Sequence, residues 1–230
     1  MPRHHEVSRL EAFSDAVFAF AITLLVVSLE APKSVHELTE IMHKSGPFAL
    51  TFAMVVWIWW QHNQFFRRYG LQDSWTATLN AALLFVVLIY VYPLRFLTTA
   101  MTGRLFGIAD SVPYISAQDG AVLLLFYSTG ILLIFATFVL LHRHSWRRRV
   151  ELGLTDTELL NLRFHIRSHV ISASFAAVSI AIVLLTKLLR PEWVGVGGWI
   201  YMLMGPAHAW NGTMQSKALK AMGVTANEKA

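Results

Sequence analysis

The chain of 230 residues contains no cysteine. Disulfide scaffolds, thiol nucleophiles and cysteine-ligated zinc or iron–sulfur sites are therefore excluded. The sequence also lacks a Ser/His/Asp set placed for nucleophilic catalysis, so it does not predict an enzyme.

Charged residues are scarce. Asp, Glu, Lys and Arg make up 14% of the chain, whereas 55% is hydrophobic and the mean hydropathy is +0.50. An ordinary soluble domain is about 25% charged, so its surface would carry far more charge than this chain can supply. An aromatic content of 13% with so few charges excludes disorder as well. The composition predicts an integral membrane protein.

Apolar segments of about 20 residues can cross a bilayer as helices. They predict an all-α bundle of six transmembrane helices in one domain, residues 1–222, followed by a flexible tail at 223–230. The predicted spans are 10–30, 45–64, 74–98, 119–141, 166–188 and 193–211. The first apolar run, Ala16–Leu29, is too short alone, so this helix must begin near Leu10 and take Glu11 and Asp15 into the membrane boundary. Gly205-Pro206 predicts a kink or a helix end in the sixth span.

Basic residues cluster before the first span and after the second, fourth and sixth spans. By the positive-inside rule this pattern predicts that both termini are cytoplasmic. The same distribution accounts for the formal net charge of +5, so nucleic acid is not a predicted partner. The clustered residues are Arg3, Arg9, Arg67, Arg68, Arg143, Arg147, Arg148, Arg149, Lys217 and Lys220.

The first predicted helix carries ionisable residues in a membrane segment, where they are costly and are candidates for function. At about 100° per residue, one apolar stripe with a single hydroxyl contains Phe20, Thr23, Leu24 and Val27. Asp15 lies off the centre of that stripe, toward the body of the subunit. A simpler interpretation stays open: the stripe packs against other helices, and Asp15 is an N-terminal charge that favours the helix dipole.

The same helix begins with Arg9-x-x-x-Phe13-Ser14-Asp15 and continues as AVFAFAITLLVVSLE. This pattern resembles the RxxxFSD signature of the endolysosomal potassium channel family, specifically its bacterial branch. The resemblance continues in the stretch WWQHNQFFRR at the end of the second span and in the third span, which has Asn80 near its start. It covers essentially the whole membrane domain.

The resemblance implies a homotetramer in the bacterial plasma membrane, with the first helices lining a pore for potassium in preference to sodium. Such channels lack a TVGYG-type carbonyl filter. Their constriction corresponds here to Phe20, Leu24 and Val27, and the threonine that contributes to potassium selection corresponds to Thr23. A buried polar network beneath the pore helix corresponds to Arg9, Ser14, Asp15, His62 and Asn80. No cofactor is implied beyond the permeating potassium ions, and membrane lipid is the other expected partner.

Two positions depart from the family pattern. The constriction residue is usually Ile or Leu, whereas this chain has Phe20, and four phenyl rings would make a bulkier hydrophobic gate. The second histidine of the family's His-His pair is Asn63 here, which puts proton-linked behaviour of that pair in doubt.

Two other functions compete with a channel. One is a proton-coupled secondary transporter in which Asp15 and His62 relay the proton, although no inverted repeat supports it. The other is a membrane subunit that carries no flux.

Several weaker signals lie in the second half of the chain. The pair His165 and His169 has the i, i+4 spacing of a metal site but lacks a third ligand. The run HRHSWRRR at 142–149 would attract anionic lipid headgroups. The glycines at 195, 197 and 198 are typical of close helix packing, and His208 is expected to be a hydrogen-bonded core histidine.

Overall fold

The computed structural model describes residues 7–27, 33–36, 39, 45–106, 116–190 and 193–223. These residues form helices and contain no strand, which confirms the all-α prediction. The helices are α1 (Arg9–Val27), α2 (Ser45–Tyr69), α3 (Ser74–Phe106), α4 (Ala117–Arg147), α5 (Asp156–Leu189), α6 (Val196–Trp199) and α7 (Met204–Ala221). The end of the first predicted span, residues 28–30, and the tail from residue 224 lie outside the described residues.

Four of the described helices are long and apolar enough to cross a membrane: α1, the Ser74–Val91 part of α3, most of α4, and α5. The 19 residues of α1 extend about 28 Å, because the helix begins at Arg9 and includes its acidic residues. The second predicted span is helical but less apolar, since its C-terminal half contains Gln61, His62, Asn63 and Gln64. Six spans with cytoplasmic termini therefore remain a prediction.

The sixth predicted span, 193–211, is not one continuous α-helix. The short helix α6 is followed by a 3-10 segment, Ile200–Leu203, and then by α7. Pro206 lies in the first turn of α7 and lacks the N–H that would bond to residue 202, so the preceding turn cannot keep a regular α-helical ladder. The proline identified from the sequence thus marks the point where the helix restarts.

The chain divides into two compact units. One comprises residues 7–67 and 84–106 of the described chain, and the other comprises residues 68–83 together with the described residues from 116 onward. In the latter unit, α4 and α5 pack along each other, and α7 packs against α5. Their core includes Ala121 and Val183, which are fully buried.

The turn before α3 is fixed by Asp73, which accepts a hydrogen bond from the backbone N–H of Thr76 at 3.0 Å. The other carboxylate oxygen lies 2.8 Å from His144 Nε2 and 3.4 Å from Arg148 Nη1. Burial alone would raise the pKa of Asp73, but these hydrogen bonds and positive charges lower it to about 2. This carboxylate therefore stays ionised and ties the start of α3 to the end of α4.

Candidate functional site

The first turn of α1 is held by a reciprocal pair of hydrogen bonds. The hydroxyl of Ser8 accepts from the backbone N–H of Glu11 at 3.1 Å, and the Glu11 carboxylate accepts from the backbone N–H of Ser8 at 3.1 Å. This is a capping box, and its Ser-x-x-Glu signature is readable in the sequence. Glu11 therefore fixes where the helix begins, a role that was not among the sequence predictions.

Two faces of α1 differ sharply in burial. One face is packed inside the unit and consists of Ser14, Phe18, Ala21 and Leu25. The predicted stripe lies on the other side: Phe20 is 56% and Val27 is 70% exposed, Thr23 is exposed, and Leu24 is half-buried. At about 100° per residue the centres of the two faces lie roughly 140° apart. The stripe is thus not part of the core that a single chain forms.

Thr23 supplies the hydroxyl on this exposed stripe. Its Oγ1 donates to the carbonyl of Ala19, one turn earlier, at 2.9 Å. Because the hydroxyl proton is directed back to the helix, the lone pairs of the oxygen are left to accept from outside. An oxygen of this kind can contact a cation.

The partner of Asp15 is Trp59 on α2. The indole Nε1–H donates to Asp15 Oδ1 at 2.7 Å, a charge-assisted hydrogen bond that joins α1 to α2. Next to it, the fully buried Ser14 donates to the carbonyl of Leu10 at 2.8 Å. The polar network implied by the family resemblance included Asp15, but it did not include Trp59.

His62 lies one turn further along α2 and is buried. Its ring is packed among phenyl rings, with centroid distances of 5.5 Å to Phe18 and 4.6 Å to Phe66. Phe18 belongs to the buried face of α1, so both a polar and an aromatic contact join the two helices. Together these contacts fix the rotation of α1 about its axis.

Two members of the family signature lie away from this cluster. Arg9 and Phe13 are exposed, and Arg9 forms no ion pair with any described residue. The expectation that Arg9 is buried with Ser14 and Asp15 is therefore not met within one chain. Arg9 is the first helical residue and lies about 120° around the helix from Asp15. Asn80 is buried on α3 in the other compact unit.

Apart from His144, which contacts Asp73, the described histidines of the second unit fall into two groups. The ring of His208 lies between two hydroxyls, with Nδ1 3.0 Å from Ser168 Oγ and Nε2 3.0 Å from Ser172 Oγ. His208 is therefore hydrogen-bonded as expected, but it is half-buried and not part of the core. The rings of His165 and His169 both contact His142, at centroid distances of 5.8 and 4.8 Å. No group of three ligating side chains suited to a metal occurs among the residues that the structure describes.

The four described helices that are long and apolar enough to cross a bilayer define a helical integral membrane protein. The sequence model of the family described as endosomal/lysosomal potassium channel TMEM175 matches residues 9–91. A protein from Marivirga tractuosa named as a potassium channel is 35% identical over 222 residues, which cover 94% of this chain and 90% of that protein.

Two solved structures are also similar. The potassium channel MtTMEM175, crystallised as a threonine-to-alanine variant in complex with a nanobody fusion protein, aligns with a TM-score of 0.83 at 35% identity and covers 94% of this chain and 97% of its own. A lysosomal potassium-selective channel TMEM175 homologue from Chamaesiphon minutus aligns with a TM-score of 0.53 at 22% identity, covering 85% of this chain and 96% of its own. The chain belongs to the TMEM175 potassium channel family.

Proposed function

We propose that this chain forms a potassium-permeable channel in the bacterial plasma membrane that prefers potassium over sodium. Its working form is a homotetramer with both termini in the cytoplasm. The observation that carries the proposal is the exposed stripe of α1, which holds Phe20 and Val27 with Thr23 between them. A face of this kind, unpacked within its own subunit, is suited to a pore shared by several copies.

The polar contacts on the other side of α1 support the same function. Asp15 bonds to Trp59, and His62 is packed between aromatic rings, so both groups hold α1 at one rotation. A fixed rotation keeps Phe20 directed at the axis of the tetramer. The ring of four phenyl groups is then the constriction, and it acts by excluding water from the pore without a carbonyl filter.

The first experiment measures potassium flux into liposomes that contain the purified protein. Phe20→Ala is expected to raise the flux about tenfold. This factor corresponds to lowering the free-energy barrier for ion passage through the constriction by about 1.4 kcal/mol. Phe85→Ala is the matched control, because Phe85 on α3 is also a highly exposed phenylalanine, at 64%. Its flux should equal that of the wild type.

Other results would point elsewhere. Equal flux for wild type and Phe20→Ala would show that Phe20 does not form the constriction. Saturable, pH-coupled uptake that is lost in Asp15→Asn would favour the proton-coupled transporter with Asp15 and His62. Absence of flux in all variants, with the protein folded in the bilayer, would favour a subunit that carries none.

A further inference from the structure

Trp146, at the end of α4, lies beneath two guanidinium groups. The Arg149 Cζ is 5.2 Å and the Arg163 Cζ is 4.9 Å from the centre of the Trp146 ring system. Arg149 is also anchored by its Nη1, which donates to the carbonyl of Trp146 at 3.0 Å. Arg149 follows α4 and Arg163 lies on α5, so two elements bring two positive charges to one indole.

A second cation–π contact continues this arrangement. Arg167 lies one turn after Arg163 on the same face of α5, and its Cζ is 4.9 Å from the centre of the Trp210 ring of α7. Its Nη1 also contacts Met214 Sδ at 3.5 Å. Three guanidinium groups are thus each placed by an aromatic ring.

Among the residues that the structure describes, no carboxylate pairs with the three guanidinium groups of this cluster. Within the described part of the chain, arginine–carboxylate ion pairs involve Arg148, which pairs with Asp73 and Glu151. Arg149, Arg163 and Arg167 contact no carboxylate there. A guanidinium stacked on an aromatic face keeps the N–H groups of its edge, which match the oxygens of a phosphate bidentately.

The surroundings favour a lipid as the source of that phosphate. Arg163 and Arg167 flank the start of the fifth predicted span, and Trp146 and Arg149 follow the end of the fourth. Tryptophan rings at such positions typically occupy the membrane interface. Beyond Arg167, the exposed surface of α5 becomes apolar, with Val170, Val178 and Leu185 facing outward. A charged cluster beside an apolar helix surface fits a molecule that has both a phosphate and acyl chains.

We propose that Arg149, Arg163 and Trp146, extended by Arg167 and Trp210, form a binding site for the headgroup phosphate of an anionic phospholipid. The guanidinium edges bind the phosphate, and the acyl chains lie along the apolar surface of α5. The proposal is independent of ion conduction, because it concerns α4, α5 and α7 and not the stripe of α1.

The test titrates the purified protein in detergent with phosphatidylglycerol and follows bound lipid by native mass spectrometry. The double variant Arg149→Gln/Arg163→Gln is expected to weaken binding of the first phosphatidylglycerol at least about tenfold. The matched control is Arg143→Gln/Arg147→Gln, which removes the same amount of charge from α4, where neither arginine is stacked on a tryptophan. Its affinity should stay close to that of the wild type, and phosphatidylcholine should bind equally weakly to all variants.

A third variant separates geometry from charge. Arg163→Lys keeps the charge but cannot offer a planar, bidentate group, so it should lose part of the affinity. Full affinity in this variant, or equal losses in the two double variants, would reduce the site to diffuse electrostatic attraction and overturn the proposal. Displacement of the lipid by excess inorganic phosphate would also overturn it, because the site would then bind a soluble anion.

Discussion

Among single residues, Thr23 is the polar member of the exposed stripe of α1. Its hydroxyl proton is engaged by Ala19, so the oxygen can offer a lone pair to an ion in the proposed pore. Thr23→Ala should therefore lower the preference for potassium over sodium about fivefold, which corresponds to about 1 kcal/mol of differential stabilisation. The measurement is the ratio of potassium to sodium flux in liposomes.

A matched threonine provides the control for this substitution. Thr129 on α4 also donates to a carbonyl one turn earlier, that of Leu125, at 2.7 Å. Thr129→Ala removes the same group in the same helical setting and should leave the flux ratio unchanged. If both variants shift the ratio alike, Thr23 has no special place in selectivity.

The hydrogen bond between Trp59 and Asp15 is the second prediction at this scale. Trp59→Phe removes the donor and leaves a half-buried carboxylate without it, so the unfolding free energy should fall by about 1.5–3 kcal/mol. Asp15→Asn should cost less in the Trp59→Phe background than in the wild type, because the shared bond is already absent. Thermal unfolding in detergent measures both effects.

The neighbouring Trp60 serves as the control, because it is exposed and Trp60→Phe changes the same chemical group. Its effect on the unfolding temperature should be small. Strict additivity of Asp15→Asn and Trp59→Phe would mean that the bond does not contribute to stability.

Asp15 and Glu11 differ in whether their hydrogen-bond partners can be predicted from the sequence. The cost of an unpaired charge in a membrane predicts that Asp15 has a partner. The identity of that partner, Trp59, depends on how α1 and α2 pack, since the two residues are 44 positions apart. Glu11 differs in this respect, because its capping partner is three residues away and the motif can be recognised locally.

At the scale of helices, Gly197 shows how closely α6 approaches α5. A Cβ at this position would overlap with Val183 Cγ2 and would lie 3.3 Å from the carbonyl oxygen of Ser179. The hydroxyl of Ser179 in turn donates to the carbonyl of Gly197 at 2.8 Å. The close packing predicted for this glycine is therefore confirmed, whereas Gly195 has open space around it.

This difference gives a paired prediction. Gly197→Ala overpacks a fully buried contact and should reduce stability by about 1–3 kcal/mol. Gly195→Ala introduces the same methyl group two residues earlier, where nothing lies within 4 Å, and should have almost no effect. Unfolding temperatures of the two variants, measured side by side, test the prediction, and equal changes would contradict it.

The interrupted sixth span shows why helix type is harder to predict than helix location. Hydropathy places an apolar segment at 193–211, but it does not report the local hydrogen bonds. The segment also forms hydrogen bonds with other helices. Tyr201 in the 3-10 segment donates to Ser128 at 2.8 Å, and Gly197 in α6 accepts from Ser179. Pro206 predicts an interruption of the helix. The position at which the 3-10 segment changes to α-helix also depends on these long-range contacts.

For the whole molecule, composition and the α1 signature were sufficient to predict an all-α membrane protein and its family. Orientation and the number of spans depend on the bilayer, which the contacts of a single chain do not define. The contacts of a single chain do not define its assembly either. In the proposed tetramer, three further copies of the chain complete a pore around the exposed stripe of α1. The absence of cysteine makes this assembly directly testable, because any introduced thiol is unique.

Val27→Cys places a thiol at a position of α1 that is 70% exposed and, in the proposed tetramer, faces the pore axis. A short bismaleimide should then cross-link copies in the membrane, and a denaturing gel should show a strong band of two linked chains, because each chain carries one thiol. Leu188→Cys on α5 is the control, since it is 81% exposed but lies outside the stripe, and it should cross-link far less. Native mass spectrometry of the uncross-linked protein should give four copies. Equal cross-linking at both positions would contradict a tetramer built around α1, because a thiol at the axis must meet its symmetry mates more often than one on another helix.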